Sequence, residues 1–137
     1  MTNLPRDASP QPLLMRLAAV DGFDLGVALR NVGGSELALE RVLRTFIRRY
    51  RAGDADLCQA EAPDTLARWR ASCHSLRGAC ATIGAASLPR GFGAFEESLR
   101  SGADVAQLAP AAHALNDELM RVVTALAAAL GPPAPTS

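Results

Sequence analysis

The sequence predicts an all-α protein, an antiparallel four-helix bundle with one or two additional short N-terminal helices. Aromatic residues make up only 4% of the 137 residues, and much of the 49% apolar content is alanine and leucine. Strands favour β-branched and aromatic residues, so this composition favours helices. Four long segments carry apolar residues at alternating spacings of three and four, which places them on one helix face. Short loops between such segments are typical of antiparallel neighbours.

Six segments are predicted to be helices, and several residues near their ends are typical of helix termini. Ser35 and Asp64 have side chains that can accept hydrogen bonds from a first helical turn. Pro89 and Pro110 are compatible with helices only near the first turn, where the missing N–H of proline has no intrahelical partner to lose. The predicted helices, two short and four long, cover about residues 13–20, 24–31, 35–51, 64–84, 87–101 and 104–130.

One domain accounts for most of the chain. Residues 13–130 form the predicted bundle, since this length is enough for one hydrophobic core. Residues 1–12 carry three prolines and no apolar period, so we expect a flexible lead-in, and Gly-Pro-Pro predicts a disordered tail over 131–137. No run approaches the roughly 18 apolar residues of a membrane span. We therefore expect a soluble, cytoplasmic protein without membrane contact.

The charges of this chain are balanced. Fourteen basic residues, all arginine, match fourteen acidic residues. A neutral chain lacks the positive surface of a general nucleic-acid binder, so no nucleic-acid partner is expected. An arginine cluster on the helix at 35–51 either meets an acidic partner or is a solvated face, and we favour the solvated face. Its members are Arg41, Arg44, Arg48, Arg49 and Arg51.

The three cysteines are predicted to be reduced. Cys73 and Cys80 fall on the apolar stripe of the helix at 64–84, where a thiol packs as a small hydrophobe. Together with Cys58 they are an odd number without C-x-x-C spacing, which is unlike a disulfide framework. Cys73 and the adjacent His74 point about 100° apart on a helix, which disfavours a shared zinc site.

His74 is the candidate functional residue of this helix. At about 100° per residue it points roughly 130° away from the centre of the apolar stripe, so the imidazole should face solvent. An exposed histidine on a rigid helix is available to react with an incoming group. His113, the other histidine, has no comparable surroundings and is interpreted as incidental. The stripe consists of Leu66, Trp69, Cys73, Leu76, Cys80 and Ile83.

The neighbours of His74 suit a phosphoryl group. Arg70, Arg77, Gly78 and Ala81 lie one or two turns away on the same face. Gly78 costs about 1 kcal/mol relative to alanine in a helix interior, which favours a role in letting another molecule approach closely. Arg77 adds a permanent positive charge. A nucleophile, a cation and a small residue are therefore expected together.

The residues around His74 resemble the histidine-containing phosphotransfer (HPt) domain family. The family pattern is His-x-Leu-Lys-Gly, then a glycine, an apolar residue and an apolar–acidic pair at fixed spacings. The resemblance covers about residues 20–130 and includes a Gly-Gly turn before a helix. It departs at Arg77, where lysine is commoner, but the charge is retained. The matching residues are Val32-Gly33-Gly34-Ser35-Glu36, Phe46, His74-Ser75-Leu76-Arg77-Gly78, Gly84, Leu88 and Phe95-Glu96.

The resemblance implies a role for each site residue. His74 would accept a phosphoryl group from a receiver-domain aspartate, or return it, through Nε2 of a neutral imidazole. Glu96, favoured over its neighbour in sequence, would hydrogen-bond the other ring nitrogen. Arg77 and Arg100 would be cations for the phosphoryl oxygens, and Gly78 would give clearance. The chain itself would need no metal or cofactor, because Mg²⁺ belongs to the receiver.

Partners and alternatives follow from the same resemblance. Receiver domains are the expected partners, with a sensor histidine kinase in cis also possible, and a monomer is expected. A free-standing protein and a C-terminal kinase module remain open. One alternative is a degenerate bundle acting as a phosphorylation-independent adaptor, which Gly78 and Glu96 argue against. A histidine-kinase dimerisation domain fits poorly, because Ser75 stands where that class has an acid and no ATP-binding glycine boxes follow. Self-phosphorylation is therefore not expected.

Overall fold

The computed structural model describes residues 11–132, and this part of the chain is all-helical. A single 3₁₀ turn, Ala55–Cys58, interrupts the loop after the third helix. Residues 11–132 contain no strand, and their one isolated β-bridge joins Phe23 to Ala85. The predicted all-α class is confirmed, while residues 1–10 of the lead-in and 133–137 of the tail lie outside the described part. The helices are α1 (Leu13–Ala18), α2 (Leu25–Asn31), α3 (Glu36–Tyr50), α4 (Thr65–Thr82), α5 (Leu88–Arg100) and α6 (Val105–Leu130).

The start of α3 follows the sequence closely. Gly33 and Gly34 both have positive φ, 72° and 82°, a conformation that glycine adopts without steric cost. The Ser35 hydroxyl then accepts a hydrogen bond from the Ala38 backbone N–H at 3.0 Å. This is the predicted N-cap, and it fixes where α3 begins.

Two predicted helix-end features are wrong in detail. Asp64 is at the N-cap of α4, but its ψ of 26° departs from the extended cap conformation and its side chain makes no cap hydrogen bond. Its carboxylate instead accepts from Arg68 Nε at 2.8 Å. Pro110 is the sixth residue of α6, beyond the first turn. Both Pro110 and Ala106, whose carbonyl loses its helical donor, are exposed, so water can bond that carbonyl.

One continuous hydrophobic core joins the four long helices. Helix α4 packs on α5, α5 packs on α6, and α6 packs on α3. Trp69 of α4 is fully buried, and its ring meets Phe95 of α5 edge-on with centroids 5.6 Å apart. The predicted stripe of α4 is buried apart from the half-buried Leu66. This packing holds α4 rigidly against its neighbours.

A polar network attaches the loop between α3 and α4 to the core. The Asp54 carboxylate accepts from the Ser72 hydroxyl at 3.1 Å, and the Asp54 backbone N–H donates to Asn116 Oδ1 at 2.8 Å. The Trp69 indole N–H donates to the Asp56 carbonyl at 2.9 Å. Ser72 and Asn116 are both buried, so each bond pairs a group that water does not reach.

The N-terminal helices are joined to the far end of α4. The Asp24 N–H donates to the Gly84 carbonyl, and the Ala86 N–H donates to the Gly22 carbonyl, both at 2.7 Å. Asn31 also donates to the Thr82 carbonyl at 2.9 Å, which caps the end of α4. Among residues 11–132, no helix has the length and apolar character needed to cross a membrane.

Candidate functional site

Helix α4 exposes His74 on the side opposite its buried stripe. Cys73 and Leu76, on either side of it in sequence, are fully buried, whereas His74 and Ser75 are exposed. The geometry is that expected of one residue rotated away from a packed face. The backbone beneath the imidazole is held by the core.

An open cavity of about 570 Å³ lies beside His74, between α4 and α5. Ala67 and Ala71 contribute only methyl groups, which leave space over the turn that precedes His74. Histidine side chains on a helix lean toward this preceding turn. Arg70 and Glu96 complete the lining, so one cation and one carboxylate share the cavity with the imidazole.

Glu96 is bonded to Arg77 and not to His74. Its carboxylate oxygen Oε1 accepts a hydrogen bond from Arg77 Nη1, and its side chain is only 13% exposed. Within residues 11–132 the His74 ring makes no hydrogen bond. The expected bond from Glu96 to the second ring nitrogen is therefore absent, and Oε1 of the carboxylate accepts from Arg77 instead. The structure does bring His74 and Glu96 to the same cavity.

Arg100 is similarly committed to a carboxylate. It donates to Glu97 Oε1 one turn back on α5, and this bond raises the Arg100 pKa further. Both side chains are about two-thirds exposed. Arg100 does not line the His74 cavity, so the structure does not bring this expected cation together with the histidine. Glu97 points to solvent, whereas its neighbour Glu96 lines the cavity.

Gly78 is not needed for packing within the chain. A methyl group built at this position meets no atom within 4 Å, and the residue is exposed. Gly78 borders a mostly apolar groove of about 300 Å³ between α3 and α4. The glycine therefore pays its helix-propensity cost without relieving any clash in the fold. The groove is also lined by Val42, Thr45, Phe46, Arg49, Tyr50, Ala79, Thr82 and Ile83.

The cysteines are free and occupy two environments. Cys73 and Cys80 are fully buried, and burial raises the pKa of each thiol to about 12. For Cys73 the nearby Glu96 and Asp54 carboxylates contribute to this rise. Cys58 is exposed and accepts a hydrogen bond from Asn116 Nδ2 at 3.1 Å. Among the described residues no group of three or more His, Cys, Asp or Glu could hold a metal ion.

The arginine cluster of α3 is only partly free. Arg44 pairs with Glu40 at 2.9 Å and donates to the Gly131 carbonyl at the end of α6. Arg49 donates to the Tyr50 hydroxyl at 3.0 Å and lies 5.3 Å from its ring centroid. These contacts serve the fold, while Arg41, Arg48 and Arg51 are exposed. His113 is exposed on α6 and does not line the His74 cavity.

Sequence reasoning named Arg70 only as a neighbour of His74, although the structure makes it the cation of the cavity. The (i, i+4) spacing was the signal available for it.

Comparison with protein-family models, with curated proteins and with solved structures found no match to this chain. A solvent-exposed imidazole, one cation and open space suit a small anionic electrophile.

Proposed function

We propose that this chain is a histidine phosphotransfer module of a multistep two-component phosphorelay. The observation that carries the proposal is the exposed His74 on a rigid helix, in an open cavity with Arg70 and Glu96. Gly78, one turn further on, has empty space around it that a partner can approach. The motif spacing of the sequence supports the same chemistry.

We infer the same antiparallel four-helix bundle as the sequence predicts, formed by α3 to α6. The packing of α4 on α5, α5 on α6 and α6 on α3 supports this arrangement. The connections from α4 to α5, residues 83–87, and from α5 to α6, residues 101–104, are short and support an antiparallel direction for these helices, while residues 51–64 join α3 to α4. In such a bundle α4 carries its histidine on an outer surface, where a folded partner can reach it.

In the proposed reaction His74 accepts one phosphoryl group from a donor and later passes it on, so the carrier is unchanged at the end of the cycle. Nε2 of a neutral His74 attacks the phosphorus of an aspartyl phosphate in line. The N–P bond forms as the aspartyl O–P bond breaks, and the electron pair returns to the aspartate carboxylate. Catalysis of this kind consists of positioning and charge neutralisation. Mg²⁺ would be held by the acidic pocket of the receiver, and the carrier would hold no metal or cofactor.

The proposed partners are receiver domains, with a sensor histidine kinase in cis as a further candidate. The carrier would act in the cytoplasm as a monomer and would not phosphorylate itself. The groove beside Gly78 supports an approach of the partner along α3 and α4, because it is open and mostly apolar, with Phe46, Tyr50 and Ile83 as its buried floor. Apolar surface of this kind contributes to association when it is removed from water.

The test is label transfer from phosphorylated receivers to the purified chain. A panel of receivers charged with radiolabelled acetyl phosphate is mixed with the native chain, with His74→Gln and with His113→Gln. His113 is a matched control, because it is the other exposed histidine. We expect label that is stable to alkali and labile to acid on the native chain and on His113→Gln, and none on His74→Gln.

The opposite result would favour the adaptor hypothesis. If no receiver labels a chain that circular dichroism shows to be folded, His74 is not a phosphoryl acceptor for that panel. Binding of an unphosphorylated receiver that is equal for the native chain and His74→Gln would then indicate a phosphorylation-independent adaptor.

A further inference from the structure

The two cations that the motif singles out are already paired with carboxylates. Arg77 donates to Glu96, and Arg100 donates to Glu97. Arg70, by contrast, makes no ion pair with any of residues 11–132, and it lines the same cavity as His74. It lies four residues before the histidine, a spacing that puts the two Cβ atoms about 5–6 Å apart. Arg70 is thus the uncommitted positive charge next to the imidazole.

The Arg77–Glu96 pair has a different electrostatic effect. Glu96 lines the cavity, so an unpaired carboxylate there would repel an incoming phosphoryl group. Arg77 neutralises that carboxylate through its hydrogen bond to Oε1. With this pair neutral overall, the arginine that lines the cavity with an unpaired charge is Arg70.

We propose that Arg70 is the catalytic residue that binds the phosphoryl oxygens at His74, and that Arg77 is a positioning residue that neutralises and holds Glu96. This inference rests on the proposed function and assigns the cation within it. During transfer the N–P bond to Nε2 forms while the bond from phosphorus to the donor breaks, and the Arg70 guanidinium donates hydrogen bonds to the phosphoryl oxygens. A planar guanidinium can bond two such oxygens at once.

The experiment uses two donors, so that the partner and the site are tested separately. Phosphoramidate is a small donor that needs no docking, because its P–N bond breaks with loss of ammonia as the bond to Nε2 forms. A labelled receiver is the second donor. Initial rates are measured for Arg70→Gln, Arg70→Lys, Arg77→Gln, Glu96→Gln and the Arg77→Gln/Glu96→Gln double variant. Arg68→Gln is the matched control, because it removes the same charge from α4 outside the cavity, where Arg68 pairs with Asp56 and Asp64.

We expect Arg70→Gln to slow labelling by at least about tenfold with both donors, since it removes a charged donor to the transferring group. Arg70→Lys should recover part of the rate, and Arg68→Gln should stay within about twofold of the native chain. Arg77→Gln should slow labelling because it exposes the Glu96 charge, and adding Glu96→Gln should restore most of the rate.

Two results would overturn the assignment. One is an Arg70→Gln rate within about twofold of native, and the other is an Arg77→Gln defect that persists in the double variant. Neither depends on the partner, because phosphoramidate needs no docking, and the labelling that persists in His74→Gln is subtracted as reaction at the other exposed histidine, His113. Labelling by phosphoramidate but by no receiver would refute the phosphorelay role. The phosphoramidate labelling rates of the Arg70 variants would then still support or overturn the assignment of Arg70. A native chain labelled by neither donor would overturn both.

Discussion

Arg77 of α4 donates a hydrogen bond to Glu96 of α5, and this ion pair joins the two helices that form the His74 cavity. Arg77 is 54% exposed, whereas Glu96 is only 13% exposed. The pair therefore has a solvated member and a largely buried member, and each contributes differently to stability and to the cavity charge.

Removing the cation should cost more stability than the loss of a fully solvated ion pair. We expect Arg77→Gln to lower the free energy of unfolding by about 1–2 kcal/mol, because it leaves the largely buried Glu96 carboxylate without this partner. Urea denaturation followed by circular dichroism measures this change. A loss several times larger would mean that the pair holds α4 against α5, and the transfer rates of this variant would then report on folding rather than on cavity charge.

Gly78→Ala should separate stability from function. The added methyl group meets no atom within 4 Å, so the variant should gain up to about 1 kcal/mol from helix propensity. Under the proposed phosphotransfer role, the same methyl group should slow transfer from a receiver while leaving labelling by phosphoramidate nearly unchanged. Thermal denaturation and the two labelling rates measure these effects.

A helix-propensity control for Gly78 lies on α6. Thr124 is exposed there, and Thr124→Ala also replaces a weaker helix former by alanine. This variant should be slightly stabilised and should transfer at the native rate. If transfer is slower in both Gly78→Ala and Thr124→Ala, the Gly78→Ala effect comes from the change in stability and not from hindered approach of a partner.

The thiols should differ in reactivity and in their effect on pH stability. Iodoacetamide near pH 8 should label Cys58 in the folded chain, while Cys73 and Cys80 react only in urea.

Burial raises the pKa of Cys73 and Cys80 from 9.0 to about 12, so both thiols stay protonated in the folded chain at a pH where they ionise in the unfolded chain. Raising the pH above about 9 therefore favours the unfolded state, by linkage.

The double variant Cys73→Ala/Cys80→Ala checks this linkage. It should be less stable than the native chain at pH 7, because two buried side chains are shortened. Its free energy of unfolding should nevertheless fall less steeply between about pH 9 and pH 11. Equal slopes for the two chains would show that the buried thiols do not contribute to the alkaline loss of stability.

Local sequence signals predicted the helices well because the signals are themselves local. The Ser35 cap and the Gly33-Gly34 turn depend on neighbours within a few residues, and both form as expected. Asp64 does not act as a capping side chain, because its ψ of 26° departs from the extended cap conformation and its Oδ1 bonds the equally local Arg68. The competition between two hydrogen bonds of similar energy is not visible in a residue pattern.

The candidate site was predicted less completely because it depends on contacts between helices. His74 was expected to be exposed and is exposed, since one helical stripe determines its direction. The partner of Glu96 depends on which side chain of α4 reaches α5, and the structure selects Arg77. Asn116 was missed as a buried polar residue, because its partner Asp54 is 62 residues away in sequence.

The close approach of the N-terminal segment to α4 gives a last prediction, at Gly84. Its φ of 84° disfavours any other residue, and a methyl group there would lie 2.7 Å from the Asp24 carbonyl oxygen and 2.9 Å from the Ala28 Cβ. Gly102 is a matched control, with a φ of 91° but nothing within 4 Å of an added methyl group.

Both alanine substitutions therefore carry the same conformational penalty of about 1–2 kcal/mol, and only Gly84→Ala adds a clash with backbone. We expect Gly84→Ala to destabilise the fold by at least about 1 kcal/mol more than Gly102→Ala in urea denaturation. Because the clash parts Asp24 from Gly84, amide exchange should also accelerate at Asp24 and Ala86, whose N–H groups bridge the two segments. Equal destabilisation by the two variants, with native exchange at both amides, would show that the N-terminal segment is not held to the end of α4 through this contact.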